Sequence, residues 1–291
     1  MHVNGHTIKD RRRALGISQT DLAQGICTQA TISLVENKNR IPKVATLKQI
    51  AGRLDLEMNE LVAEYHPEQD QLLGQIFEHV LNQRWRKAEV LLEQIKFSSL
   101  KTRAARIRYH TLQAVMCNIR KHSAQAIGNA LEALTLIGQA KKSPYRMLVR
   151  VQLALAYLHQ QKGELMQESL SEAIRLARSW VVKTPRDAQL IEMVVYRAAE
   201  IYMKQAKYAR VITVLNFGIK QVEQQGVTWH LDKLYSLRGQ AQYILRRFKL
   251  AYHDYHMAYA AATFNRDKGV RVMSARYLRE LAPYCATVVG E

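Results

Sequence analysis

Turn-forming residues are scarce in this 291-residue chain, which holds 13 Gly and 5 Pro, about half their usual share. That scarcity argues against collagen-like, disordered and turn-rich all-β chains. Cysteine is scarcer still. Cys27, Cys117 and Cys285 are odd in number, far apart and without Cys-x-x-Cys spacing, which supports neither a disulfide framework nor a zinc site and points to a reducing cytoplasm. No unbroken apolar run is longer than Met257 to Ala262, and residues 1 to 20 carry Lys9, Arg11, Arg12 and Arg13 without an apolar core. Neither a membrane span nor a secretory signal is expected. Gly-x-Gly-x-x-Gly, phosphate-loop, Gly-x-Ser-x-Gly and His-Glu-x-x-His motifs are all missing. His253-x-x-His256 lacks a third ligand at helical spacing, so it reads as a surface or groove pair. No enzyme activity, metal or cofactor is expected.

What the chain does hold is helix-forming. Hydrophobic residues make up 48% and charged residues 23%, and Ala, Leu, Arg, Lys, Gln and Glu fill most positions after residue 66. An all-α protein of one or two domains follows, with Pro67 separating residues 1–66 from residues 67–291. The net charge is +18. Residues 1–66 hold 9 Lys+Arg against 7 Asp+Glu, so +16 falls on residues 67–291. A basic chain suggests a polyanionic partner, but most of the excess lies outside the first domain.

In residues 1–66, Ile8 and Leu15 with Gly16 after them fit a first helix ending at Leu15. Ser18-Gln-Thr-Asp21 has the form of a capping box and starts a second. Thr28 can cap a third, whose Ile32 and Val35 face inward. Val44, Leu47, Ile50, Ala51 and Leu54 give a fourth helix, and Leu56, Met58, Leu61 and Val62 a fifth. Five short helices with a tight turn between the second and third are the layout of a helix-turn-helix DNA-binding domain.

Leu15-Gly-Ile-Ser-Gln-Thr-Asp-Leu-Ala23, Gln29-Ala-Thr-Ile-Ser33, Glu36-Asn37, Pro42, Leu47 and Ile50-Ala51 resemble the phage-repressor-like (XRE) family across the whole segment. The short turn Ile26-Cys27-Thr28-Gln29 resembles that of the PlcR and Rgg-like peptide-pheromone regulators. The resemblance places the third helix in the major groove, with Gln29, Ala30, Thr31, Ser33 and Leu34 outward. Gln29 can bond an adenine edge, Ala30 and the Thr31 methyl can meet a thymine methyl, and Ser33 can reach base or phosphate. Thr28 and Thr31 read equally as a cap and a first-turn residue. Gln19, Lys38, Arg40 and Lys43 lie where related domains touch phosphate. In those domains the arginine matching Arg12 pairs with the glutamate matching Glu36, which leaves Arg11 and Arg13 solvated or facing phosphate. Two departures stand out. Lys38 replaces a frequent Gly, so Asn37 or Asn39 must supply any left-handed residue, and Leu34 replaces a frequent Arg or Gln.

Residues 67–291 repeat. Gly239, Ala251, Tyr255 and Ala258 have the spacing of the tetratricopeptide pattern, in which small residues let two antiparallel helices approach closely. The same register recovers Ala114, Ala126, Ala130 and Ala133, then Ala199, Tyr202, Val211, Leu215 and Gly218. Ala154, Tyr157, Met166, Leu170 and Ala173, and Ile76, Ala88, Leu92 and Ile95, complete five copies. Ser143-Pro144 and Thr184-Pro185 place a capping hydroxyl before Pro at the starts of the third and fourth pairs. Residues 268 to 282 suit a C-terminal capping helix ended near Pro283. Stacked pairs form a right-handed superhelix whose inner groove is lined by the first helix of each pair. The groove-facing candidates are Arg108, Thr111 and Asn118, then Gln152 and His159, then Tyr196, Glu200 and Lys204, and Ser236, Gln240 and Tyr243. Tyr252, Tyr255 and Tyr259 follow helical spacing and suit packing between helices.

The leading reading is a dimeric transcription regulator that binds a two-fold related site on double-stranded DNA through residues 1–66, while its repeats bind a short signalling peptide. A second reading keeps the DNA binding and uses the repeats only for dimerisation or protein contact, as in a phage-type repressor. A third makes the basic repeat surface the main nucleic-acid contact, to RNA.

Overall fold

The computed structural model describes residues 2–56, 58–63, 67–138, 143–226 and 230–285. The chain divides into two compact units, residues 1–74 with 93–106 and residues 75–92 with 107–291. The described residues are overwhelmingly helical, as the composition implies.

The first unit contains α1 (Gly5–Ala14), α2 (Gln19–Ala23), α3 (Gln29–Lys38), α4 (Val44–Arg53) and α5 (Met58–Leu61). Leu15 caps α1 at its C-terminus and Gly16 follows at φ +68°. Ser18 accepts from the Asp21 amide while the Asp21 carboxylate accepts from Ser18, completing the capping box of α2. Ile8, Leu22, Ile32, Val35, Leu47, Ile50, Leu54 and Leu61 meet in one buried core, each worth about 1.5–3 kcal/mol of transfer free energy. Val44, at the start of α4, is half-exposed instead. The expected fifth helix is a single turn: Val62 lies in a two-residue strand, β2 (Val62–Ala63), which pairs antiparallel with β1 (His2–Val3). Backbone pairing to the N-terminal segment satisfies amides that a longer helix would have claimed.

Beyond Pro67 the described helices are α6 (Pro67–Leu81), α7 (Trp85–Glu93), α8 (Arg103–Ile119), α9 (Ser123–Ile137), α10 (Pro144–His159), α11 (Gly163–Ser179), α12 (Pro185–Lys204), α13 (Tyr208–Gln224), α14 (Leu231–Ile244), α15 (Phe248–Asn265) and α16 (Lys268–Cys285). In the second unit α10 packs on α11, α12 on α13 and α14 on α15. Successive pairs join through α9–α10, α11–α12 and α13–α14, and first helices also touch one another. Every small or apolar repeat anchor from Ala88 to Ala258 in this unit is buried. Gly218 is the tightest: a Cβ there would lie 2.5 Å from Val195 Cγ1.

A second periodicity runs with the anchors. Gln83, Lys121, Gln161, Ala206 and Arg246 all have positive φ, each at the same offset before an anchor (Ala88, Ala126, Met166, Val211 and Ala251). The next residue's amide closes each turn onto the first helix: Arg84 on His79, His122 on Cys117, Lys162 on Tyr157, Lys207 on Tyr202 and Arg247 on Gln242, at 2.8–2.9 Å. These left-handed turns carry no glycine, although they end helices as glycine usually does.

One helix-end expectation is corrected. Thr184 forms a full capping box with Asp187, but Ser143 makes no side-chain cap bond, because the Arg146 amide bonds the Ser143 carbonyl instead, at 3.1 Å. Helix α16 ends at Cys285, near Pro283 as expected, and carries that proline inside its last turn, where Pro sacrifices only one backbone bond. No described helix is long and apolar enough to cross a membrane.

Candidate nucleic-acid interface and repeat groove

The outward face of α3 is fixed from beneath by a buried ion pair. Arg12 Nε donates to Glu36 Oε1 at 2.6 Å and Nη2 to Oε2 at 3.0 Å, while Nη1 donates to the Ile17 carbonyl at 2.8 Å. Arg12 is 9% and Glu36 3% exposed. Burial alone would raise the Glu36 carboxyl, but hydrogen bonds from Arg12 and Gln19 and the charges of Arg12 and Lys9 outweigh it and hold the group below its usual value. Arg12 thus ties α1 to α3, as the resemblance implied.

The network continues to the surface. Gln19 Nε2 donates to Glu36 Oε2 at 2.8 Å, and Gln29 Nε2 donates to Gln19 Oε1 at 2.7 Å. Gln29, exposed at the start of α3, keeps one amide N–H and its carbonyl oxygen for a partner. An adenine edge presents the complement, N7 as acceptor and N6 as donor. Gln19 is therefore a positioning link between Glu36 and Gln29, itself half-exposed.

Thr28 caps α3 by accepting from the Thr31 amide at 3.2 Å, and the two hydroxyls pair at 2.9 Å. The capping reading of Thr28 is realised, and the Thr31 methyl remains for apolar contact. Ala30 is exposed, while Ser33 and Leu34 are half-buried. Ser33 Oγ accepts from Asn37 at 3.3 Å, which leaves its proton to donate. Lys38, Arg40 and Lys43 are exposed at the end of α3 and in the following loop.

Asn39 supplies the left-handed residue after α3, at φ 52°, and its side chain accepts from the Gly5 amide at 2.9 Å. Gly5 is required there, since a Cβ would fall 1.9 Å from the Val35 carbonyl oxygen. Arg11 departs from the phosphate-facing reading: Nε donates to the Leu54 carbonyl at 3.0 Å and the group lies 3.7 Å from Asp55. Arg13 remains exposed. Arg53, which the sequence reading passed over, bonds the carbonyls of Asp21 and Leu22 at 3.3 and 3.2 Å and also that of Gln24. Its place in the last turn of α4 gave no signal of that long-range role.

In the repeats the expected groove residues separate into two sets. Thr111 is fully buried and bonds back to the Ile107 carbonyl at 2.7 Å. Asn118 Nδ2 donates to the Gln152 carbonyl at 2.8 Å and to Gln152 Oε1 at 2.9 Å, with both residues enclosed. Ser236 is buried as well. These four do not stand open to a groove, because the small anchors draw the helices so close that side chains near them are covered.

The other set retains surface. Arg108, Tyr196, Glu200, Gln240 and Tyr243 are partly exposed, and His159 and Lys204 are exposed. Lys204 Nζ lies 3.2 Å from His159 Nε2. Burial, then the charges of Lys204 and Lys121, lower the His159 pKa below its usual value. Glu200 accepts from Arg197 at 2.7 Å, burial first of all raises the Tyr196 phenol, and Gln240 Nε2 sits 3.8 Å from Met273 Sδ. Tyr243 bonds Glu280. Of the tyrosine series, Tyr255 is buried and stacked on Tyr277 at 4.5 Å, whereas Tyr259 is exposed. His253 lies 3.7 Å from Asp254 and His256 meets the edge of Tyr252.

Residues 8–61 match the helix-turn-helix family. No curated protein matches the chain by sequence. Among solved structures, the chain is similar to the apo form of the competence regulator ComR from Streptococcus vestibularis at 15% identity and TM-score 0.59, covering 98% of both chains. It is similar to Bacillus thuringiensis PlcR in complex with the peptide PapR7 and DNA at 15% identity and TM-score 0.54, covering 99% of both. ComR from S. thermophilus in complex with DNA and its signalling peptide ComS gives 14% identity and TM-score 0.50 over 96% of this chain and 99% of that one. At these identities the likeness is one of fold: a helix-turn-helix domain followed by a tetratricopeptide-like helical domain.

Proposed function

We propose that this chain is a sequence-specific DNA-binding transcription regulator, with residues 1–66 as the DNA-binding domain and residues 67–291 as a sensory and dimerising domain. The observation that carries the reading is the relay from Arg12 and Glu36 through Gln19 to Gln29. It presents one amide N–H and one carbonyl from the first turn of α3, a donor and acceptor pair that reads adenine. Exposed Lys38, Arg40 and Lys43 supply sequence-independent phosphate attraction. One such module covers a half-site, so two copies on a two-fold related duplex are expected. Selection from random duplexes tests this. Enrichment of a two-fold related site bound by two protomers supports the reading, and recovery of unrelated sequences bound by one protomer contradicts it.

The finer part of the proposal is control by a short peptide on the first-helix face of the repeats. The complexes of PlcR and ComR with peptide and DNA support it by likeness of fold. In this chain Arg108, His159, Lys204, Tyr196, Glu200, Gln240 and Tyr243 are the proposed contacts, and Thr111, Asn118, Gln152 and Ser236, being buried, are left out. Arg108 and Lys204 favour a C-terminal carboxylate or acidic side chain. Mass spectrometry of peptides co-purifying with the chain, followed by calorimetry on Lys204→Ala, tests this part. A recovered peptide whose affinity Lys204→Ala leaves unchanged would remove Lys204 from the site.

A further inference from the structure

The second helices α11 and α13 frame an open cleft of about 660 Å³. Ser171, Ile174, Arg175 and Arg178 form one stripe of α11. Arg210, Thr213 and Val214 form a matching stripe of α13, and Tyr202, near the end of α12, lies between them. Arg175, Arg178 and Arg210 bring three guanidinium groups to the cleft, and no carboxylate lines it among the described residues. Glu172, the acid nearest along α11, is committed to Arg146 at 3.1 Å and Arg150 at 2.7 Å. Arg210 stands over the Tyr202 ring, 5.8 Å from its centroid. It occupies the first turn of α13, where there is no acid and where Lys207 at the N-cap makes no side-chain cap bond. The helix dipole there adds to the positive potential rather than being offset.

We infer that this cleft binds a nucleotide carrying two or more phosphates. A single carboxylate would leave two guanidinium groups uncompensated, whereas a polyphosphate matches all three and pairs with them bidentately. The volume suits a small organic ligand. Ile174 is partly exposed and gives an apolar edge for a base beside the charged groups, while Val214 and Tyr202 are buried in the cleft lining. The hydroxyls divide in the same sense. Ser171 Oγ accepts from Gln167 at 3.1 Å, so its proton is free for phosphate. Ser179 and Thr213 give their protons to the Leu176 and Ala209 carbonyls, both at 2.9 Å, leaving lone pairs for a ribose hydroxyl or base amino group. A DNA duplex strings its charges along the backbone and keeps its bases stacked, so it matches the cleft less well. This inference stands apart from the peptide proposal, since none of the cleft residues is among the proposed peptide contacts.

The test is calorimetric titration of the full chain with adenosine and guanosine triphosphates, inorganic pyrophosphate and a short DNA duplex. The expected result is saturable one-to-one binding of a nucleoside triphosphate, about tenfold tighter than pyrophosphate because the base adds apolar contact at Ile174. Arg175→Gln and Arg178→Gln should each weaken it about tenfold. Lys249→Gln, which removes the same charge at an exposed site elsewhere, should leave it unchanged. No saturable binding, equal affinity for pyrophosphate, equal weakening by Lys249→Gln, or a duplex that outcompetes the nucleotide would each overturn the inference.

Discussion

Removing Arg12 should cost more than neutralising Glu36, and the difference follows from what each change leaves behind. Arg12→Met strips three hydrogen bonds and leaves the 3%-exposed Glu36 carboxylate with Gln19 as its remaining donor. Breaking a buried pair from one side costs about 3–5 kcal/mol, and the 9% exposure of Arg12 favours the lower end. Glu36→Gln leaves the guanidinium its bond to Ile17 and one amide oxygen, so about 2 kcal/mol is expected. Arg12→Met with Glu36→Leu replaces the pair by apolar groups, and a coupling of about 1.5 kcal/mol or more should return. A melt of the whole chain would mix two units, so the assay is native-state hydrogen exchange at the Ile32 and Val35 amides of α3, where about 1.4 kcal/mol is a tenfold change in protection. The pH dependence adds a second check. The folded Glu36 value lies below the ordinary 4.5, so its contribution is present above that value and is lost as pH falls through the depressed one. Glu36→Gln should flatten this acid-side loss. Small additive effects, each under about 0.5 kcal/mol, would refute the reasoning and return Arg12 to the surface.

Three further outcomes are expected. Gly218→Ala should destabilise the α12–α13 pair by about 1–3 kcal/mol by overpacking Val195, and Val195→Ala should rescue it in part, both measured by hydrogen exchange of those helices. Thr184→Ala should cost about 1 kcal/mol at the start of α12, while Ser143→Ala should change little because Ser143 makes no side-chain cap bond; equal costs would contradict the cap assignment. Lys204→Gln should raise the His159 pKa toward its usual value while burial keeps it below, as followed by imidazole proton shifts in NMR.

Much of this architecture is legible in the sequence because its causes are local or periodic. The Ser18 box, the Thr28 cap and the small-residue anchors each act within a turn or recur at a fixed register. The Arg12–Glu36 pair spans α1 and α3, and it came from family resemblance rather than from spacing. What escaped is long-range or backbone-driven. Nothing near Arg53 or Gly5 announces the distant carbonyls they meet, and Val62 looked like the end of a helix because its strand partner lies at the other end of the unit. The left-handed turns before each anchor were missed because residues as different as Gln, Lys, Ala and Arg fill them. Groove phase failed at Thr111, Asn118, Gln152 and Ser236 for a related reason: periodicity gives direction around a helix, but not how closely the next helix covers it.

The most direct test of the central claim is the affinity of Gln29→Ala and Lys43→Ala for the selected duplex and for variants of it at each base pair, measured over a range of salt. The account predicts that Gln29→Ala costs about 1–3 kcal/mol on the preferred site and relaxes discrimination at one adenine-bearing position in each half-site. Lys43→Ala should weaken all sequences alike and reduce the salt slope. If Gln29→Ala instead weakens every sequence equally, or leaves base preference intact, α3 is not the reading helix and the central claim is wrong.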